Sequence, residues 1–285
     1  MLGESAMKKE IGPLQPEDYA EPRCVLCGDA YGAETVQAVP QRRIIEKMDE
    51  YMARRDYAGA ERHLLYWLRE AELGRDDRGR LMLCNELIGH YRKTGERDKA
   101  VRRVGEALAL LDALDFADTI SAGTTYVNAA TALSAFGEQA QALSLFEKAR
   151  AVYEGSGMAQ PQLLGGLYNN MGLTLTALGR FAEANALYDR AMEQMAAVPG
   201  GALEMAITCL NRADTAAAER GAEDAETEIA ALLDRGWTLL HAPDVPRNGY
   251  CAFVYEKCAP TFSYYGRFAD AADLRAEAEE LYERT

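Results

Sequence analysis

The chain has 285 residues, of which 48% are apolar and 27% charged, a globular balance rather than a disordered one. One compact core rarely covers that length, so the choice lies between two domains and an elongated array. A net charge of −14 disfavours nucleic acid as a partner, and no apolar run approaches the roughly 20 residues of a membrane helix.

The first residues lack the apolar stretch of a secretory signal, so the protein is expected to be soluble and cytoplasmic. Charge is uneven along the chain. Residues 41–110 hold 16 Lys/Arg against 13 Asp/Glu, and residues 111–285 hold 12 against 25.

Residues 1–40 contain Pro13, Pro16, Pro22 and Pro40 and no sustained helical stripe. They read as a mostly irregular N-terminal tail. Within it, Cys24-Val-Leu-Cys27-Gly is half of a zinc-ribbon pattern. A structural zinc needs four ligands, and no second CxxC exists to complete the set. The expectation is therefore no cofactor, with Cys24 and Cys27 as the weak candidates for a metal or a redox dithiol. Six cysteines in so long a chain do not suggest a disulfide framework.

From residue 41 the chain repeats itself. Tyr168-x2-Met171-Gly172-x2-Leu175, Gly179 and Ala184-x3-Tyr188-x2-Ala191 have a counterpart 42 residues earlier in Tyr126, Ala129-Ala130, Leu133, Gly137, Ala142, Phe146 and Ala149. Another 42 residues back stand Cys84, Leu87-Ile88, Tyr91, Gly95, Ala100, Val104 and Ala107. Weaker copies flank these, from Ile44 upstream and from Cys209 and Tyr255 downstream. Six units result, near 41–80, 81–122, 123–164, 165–205, 206–251 and 252–285. In each, large apolar residues at spacings of three and four make one helical stripe. A small residue such as Gly172, Ala130 or Ala213 allows a second helix to approach. Gly95, Gly137, Gly179 and Gly266 fall where the first helix must stop in a left-handed cap. The first unit has Arg54-Arg55-Asp56 at that place. In the fifth, aligning on Ala225 puts Arg212 at an inward position, and a shift of one puts Asp214 there; the first register is preferred.

This pattern resembles the tetratricopeptide repeat, and the unit length together with YVNAATAL and YNNMGLTL resembles the repeats of kinesin light chain. The resemblance implies an all-α right-handed solenoid whose first helices line a concave groove. It also implies a non-enzymatic scaffold that binds an extended peptide or protein tail there. The groove stripe then carries Asn169 and Asn170 in the fourth unit, with Asn128 and Asn211 as counterparts of Asn170 and Lys257 at the same place in the last unit. Asn85 sits one step away, near Arg92 and Lys93. Each amide offers donor and acceptor to a peptide backbone. Arg92 and Lys257 suit acidic side chains or a terminal carboxylate, and Thr131 adds polar capacity. The alternative for the asparagines is a bridge between neighbouring helices with no ligand.

Two other functions stay open: an assembly or oligomerisation module using the convex face or the tail, and an intracellular signalling-peptide receptor. No helix-turn-helix-sized segment precedes residue 41, which disfavours direct transcriptional control. An enzyme is the least favoured class, since His63, His90 and His241 form no close pair in sequence and no phosphate-binding or nucleophile motif appears. The oligomeric state is not legible.

Overall fold

The computed structural model describes residues 36–114, 116, 119–157 and 159–284. The tail with Cys24 and Cys27 lies outside them. The helices belong to one compact unit that begins at Gln37. Among the described residues there are twelve α-helices and no strand, arranged as six consecutive hairpins. The hairpins are α1 (Gln41–Ala53) with α2 (Tyr57–Leu73), α3 (Asp77–Thr94) with α4 (Arg97–Ala113), and α5 (Ile120–Ala135) with α6 (Gln139–Ser156). They continue as α7 (Pro161–Ala177) with α8 (Phe181–Ala196), α9 (Ala202–Arg220) with α10 (Glu226–Leu240), and α11 (Gly249–Tyr264) with α12 (Phe268–Arg284).

Local sequence sets the ends of these helices. Asp56 and Asp76 cap α2 and α3 by accepting from the amides of Gly59 and Gly79, at 2.8 and 2.9 Å. Thr119 and Asn248 do the same for α5 and α11. The turns inside the hairpins need a left-handed residue, and Gly95, Gly137, Gly179 and Gly266 supply it. In the fifth hairpin Gly221 takes the positive φ, a turn glycine that the repeat pattern did not single out. In the first hairpin Arg55 adopts φ 55° without being glycine.

Packing turns the hairpins into a row. Each first helix packs on the next along α3, α5, α7, α9 and α11, so these helices form a continuous layer. The second helices reach the following unit through the pairs α2–α3, α4–α5, α6–α7 and α8–α9. Buried tyrosines and small residues alternate within this packing: a Cβ on Gly172 would stand 2.4 Å from the ring of Tyr188. One apolar core runs from Val39 through Ala191, and a second from Leu203 through Leu281. Ahead of α1, the amides of Gln37 and Val39 bond to Gly74 and Asp76, which ties this segment to the first joint. The row also curls back on itself, because Arg55 in the first turn lies 3.8 Å from Glu256 on α11.

Two glycines test this packing in opposite directions. Gly172→Ala is expected to cost about 1–3 kcal/mol by forcing Tyr188 out of its rotamer. Gly105→Ala, mid-helix on α4 with open space around it, is expected to add about 0.5–1 kcal/mol. Thermal unfolding of both variants checks the pair.

Candidate functional site

In each first helix one buried residue serves as a reference: Cys84, Tyr126, Tyr168, Cys209 and Tyr255. The next residue faces the following unit, and the one after it faces the preceding unit. Asn128 Nδ2 donates to Asn85 Oδ1 at 3.1 Å, and Asn211 Nδ2 donates to Asn169 Oδ1 at 2.9 Å. The same two register places are used at both joints. Asn85 also donates to Leu81 O and to Thr125 Oγ1. A second ladder of hydroxyls runs further along the same helices. Ser134 and Thr174 are 2.9 Å apart, and Thr176 and Thr215 are 2.7 Å apart. These bonds again join equivalent places.

Both ladders fix the fifth unit with Cys209 as its reference, the register in which Arg212 aligns with Met171. Arg212 pairs with Asp189 at 2.5 Å, and Asp214 accepts from the Tyr265 hydroxyl at 2.8 Å.

The amide ladder is incomplete, and its gaps follow from single residues. Where Asn85 and Asn169 supply the bridging carbonyl, the other joints have Ile45, Val127 and Leu210. At the register places of Asn128 and Asn211 in the second, fourth and sixth units stand Glu86, Asn170 and Lys257. Asn170 is half-buried, and its side-chain amide makes no hydrogen bond among the described residues; only its backbone carbonyl is used, by Thr174. Glu86 is half-buried and likewise without an ion pair or hydrogen bond among the described residues. Burial, then the charge of Asp49, pushes its carboxyl above the ordinary range. Lys257 is exposed and pulls down the carboxyl of Glu204, which burial raises.

The residues expected on the groove therefore divide. Asn169 is buried at 7% exposure, sealed against the fifth unit by its bond to Asn211. It sits one residue before Asn170, on the side that meets the next helix. Asn85, Asn128 and Asn211 are partly accessible with one side of each amide engaged. Thr131 spends its hydroxyl proton on Val127 O within its own helix. Arg92 is exposed near the end of α3. Glu86 was not anticipated, although counting two residues past Cys84 finds it.

Asn85, Glu86 and Asn128 line a cleft of about 770 Å³ together with Leu81, Met82 and Phe116. A smaller cleft of about 420 Å³ is lined by Gly166, Glu204 and Tyr250, whose hydroxyl bonds to Glu204. Leu173 and Phe253 are exposed at 39% and 48%. Burial raises the thiols of Cys84 and Cys258 to about 12, so both remain protonated and pack as small apolar groups. Among the described residues one group of three carboxylate and imidazole side chains converges, Glu61 with His90 and Glu96. No described helix is long and apolar enough to cross a membrane.

Residues 80–155 match a family model of the tetratricopeptide repeat, and residues 165–193 match a second. These two stretches are tetratricopeptide repeats, a class of helical hairpin that serves protein interaction. Three solved structures are similar in fold. BtubC (BKLC) from P. vanneervenii is 16% identical over 87% of this chain and 92% of its own, with a TM-score of 0.47. The nearly identical TPR-like repeats of a Podosopora anserina protein designated a kinesin light chain are 15% identical over 72% and 96%, at 0.49. A tetratricopeptide repeat protein from Parabacteroides merdae is 16% identical over 84% and 98%, at 0.42. No curated protein matches the chain.

Removing Asn211 should strand a buried carbonyl oxygen, so Asn211→Ala is expected to cost about 1–3 kcal/mol. Asn170→Ala breaks no bond and should stay within about 0.5 kcal/mol of wild type. Glu86 tests the electrostatics. Its folded pKa lies above the unfolded one, so its contribution to stability falls as pH rises through that window. Glu86→Gln should therefore melt higher than wild type at pH 7, with the gap closing as pH drops below the ordinary carboxylate range.

Proposed function

We propose that the protein is a non-enzymatic scaffold that holds an extended peptide or protein tail along the layer of first helices. The observation that supports this reading is Asn170. It occupies the register place at which Asn128 and Asn211 are bridged, yet its amide is free for a ligand backbone. Glu86 and Lys257 repeat that circumstance at the outer joints with opposite charges. The peptide thus meets a carboxylate near the second unit, an amide near the fourth and an ammonium near the sixth. Met82, Phe116, Leu173 and Phe253 contribute apolar surface along the way. Asn85, Asn128 and Asn211 keep lone pairs and protons that a backbone can share, and Arg92 adds a second cation.

Assembly through the outer surface is the second reading, and one observation favours it. The last hairpin exposes Tyr264 at 77% and Phe268 at 69% around its turn, where a terminal unit ordinarily presents polar residues.

Peptide display against the purified protein separates the two. Peptides selected on wild type should lose about tenfold or more in affinity for a variant carrying Glu86→Gln, Asn170→Ala and Lys257→Ala. They should bind a Tyr264→Ser, Phe268→Ser variant unchanged. Unaltered binding to the first variant would remove the inner-face reading. Loss on the second alone would move the interaction to the outer turn.

A further inference from the structure

His90, near the end of α3, is 3% exposed, and its Nδ1 is sealed from solvent with no hydrogen-bond partner among the described residues. A buried polar atom left in that state calls for an explanation. The ring lies between Tyr57 and Tyr91, at centroid distances of 6.5 and 5.5 Å. A nitrogen of this imidazole and carboxylate oxygens of Glu61 and Glu96 all stand within 4.8 Å of one another. The three residues come from different helices: Glu61 from α2, His90 from α3, and Glu96 from the turn that opens α4.

Something cationic already sits against the carboxylates. Lys99 Nζ is 2.7 Å from Glu61 Oε1 and 2.5 Å from Glu96 Oε2. Its hydrogen bond holds the Glu61 carboxyl below the ordinary range. Burial holds the imidazole of His90 low, against the pull of Glu61 and Glu96. Tyr91 donates to Glu61 at 2.9 Å and Thr94 donates to Glu96 at 3.1 Å, which orients both carboxylates. The ammonium satisfies two acids and leaves the imidazole unmatched. A metal ion would engage all three.

We propose that Glu61, His90 and Glu96 form a binding site for one divalent transition ion of the zinc class, with Lys99 as the resident cation that the metal displaces. One imidazole and two carboxylates make a donor set suited to such ions, with a water completing the tetrahedron. Donors around tetrahedral zinc stand roughly 3.3 Å apart, so the glutamates close inwards on binding. Lys99 is free to leave, since its side chain is 43% exposed and ion pairs of that exposure contribute little. The ion would tie the first hairpin to the second, which meet through α2 and α3.

The test uses the full chain with Cys24→Ser and Cys27→Ser, which removes the tail thiols as competing ligands. Zn²⁺ is titrated by calorimetry and Co²⁺ by visible absorption. One ion per chain should bind with micromolar affinity and raise the melting temperature. His90→Gln should weaken binding by about tenfold or more, and Lys99→Met should tighten it by about as much. Circular dichroism checks the fold of each variant; if His90→Gln loses helicity, Glu61→Gln on the half-buried rim replaces it with the same expectation. Absence of binding by the otherwise native chain overturns the proposal, including the case in which only Lys99→Met binds. Binding that survives loss of His90 or Glu61 also overturns it, since the ion then sits elsewhere.

Discussion

A single helical hairpin of this chain cannot bury its own apolar stripe. Each needs a neighbour on both sides, and that requirement shapes everything else in the molecule. Tyr126, Tyr168 and Tyr255 fill the space between helices, while Gly172, Ala130 and Ala213 let the second helix close over them. Stability in such a row is a sum over units and joints rather than the property of one core. Its apolar residues form one core through Ala191 and another from Leu203.

Joints between first helices carry a polar code laid over the apolar packing. Two register places, one residue apart, meet across two of the joints, as Asn85 with Asn128 and as Asn169 with Asn211. When both are asparagine, the amides satisfy each other and the joint closes. When the first is Ile, Val or Leu, the second is left over, and in this chain it is Glu86, Asn170 or Lys257. Closed and open joints alternate along the row. A half-buried polar group with no partner costs stability. Glu86 and Asn170 are such groups, and Lys257 is an exposed one at the equivalent place; under the proposed function these are the groups that a ligand engages. Arg55 against Glu256 brings the first turn and α11 near one another.

Much of this was legible before any coordinates. Repeating Tyr, Gly and Ala at fixed intervals identified the hairpins because helix packing demands large and small residues at those places. The turn glycines were visible for the same reason, except Gly221, whose unit has drifted, and Arg55, which adopts a glycine's conformation. The asparagines read as a row, with bridging between helices as the alternative to a ligand, but which of them pair is not legible in the spacing. Sequence spacing gives the face of a helix to within one residue in 3.6, and the ladder turns on a difference of one residue. That is why Asn169 and Asn170, adjacent in the chain, have opposite fates: one sealed against Asn211, the other open. Glu61, His90 and Glu96 were illegible because they converge from three helices across a joint.

The central claim is that the joint between the third and fourth units is open where the one between the fourth and fifth is closed. Hydrogen exchange of side-chain amides, in protein labelled with nitrogen-15 at asparagine only, measures this directly. The amide protons of Asn211 should exchange slowly, held by Asn169, and those of Asn170 at close to the free-solvent rate. Equal protection of Asn170 and Asn211 would mean that no open place exists in the ladder and would contradict the account.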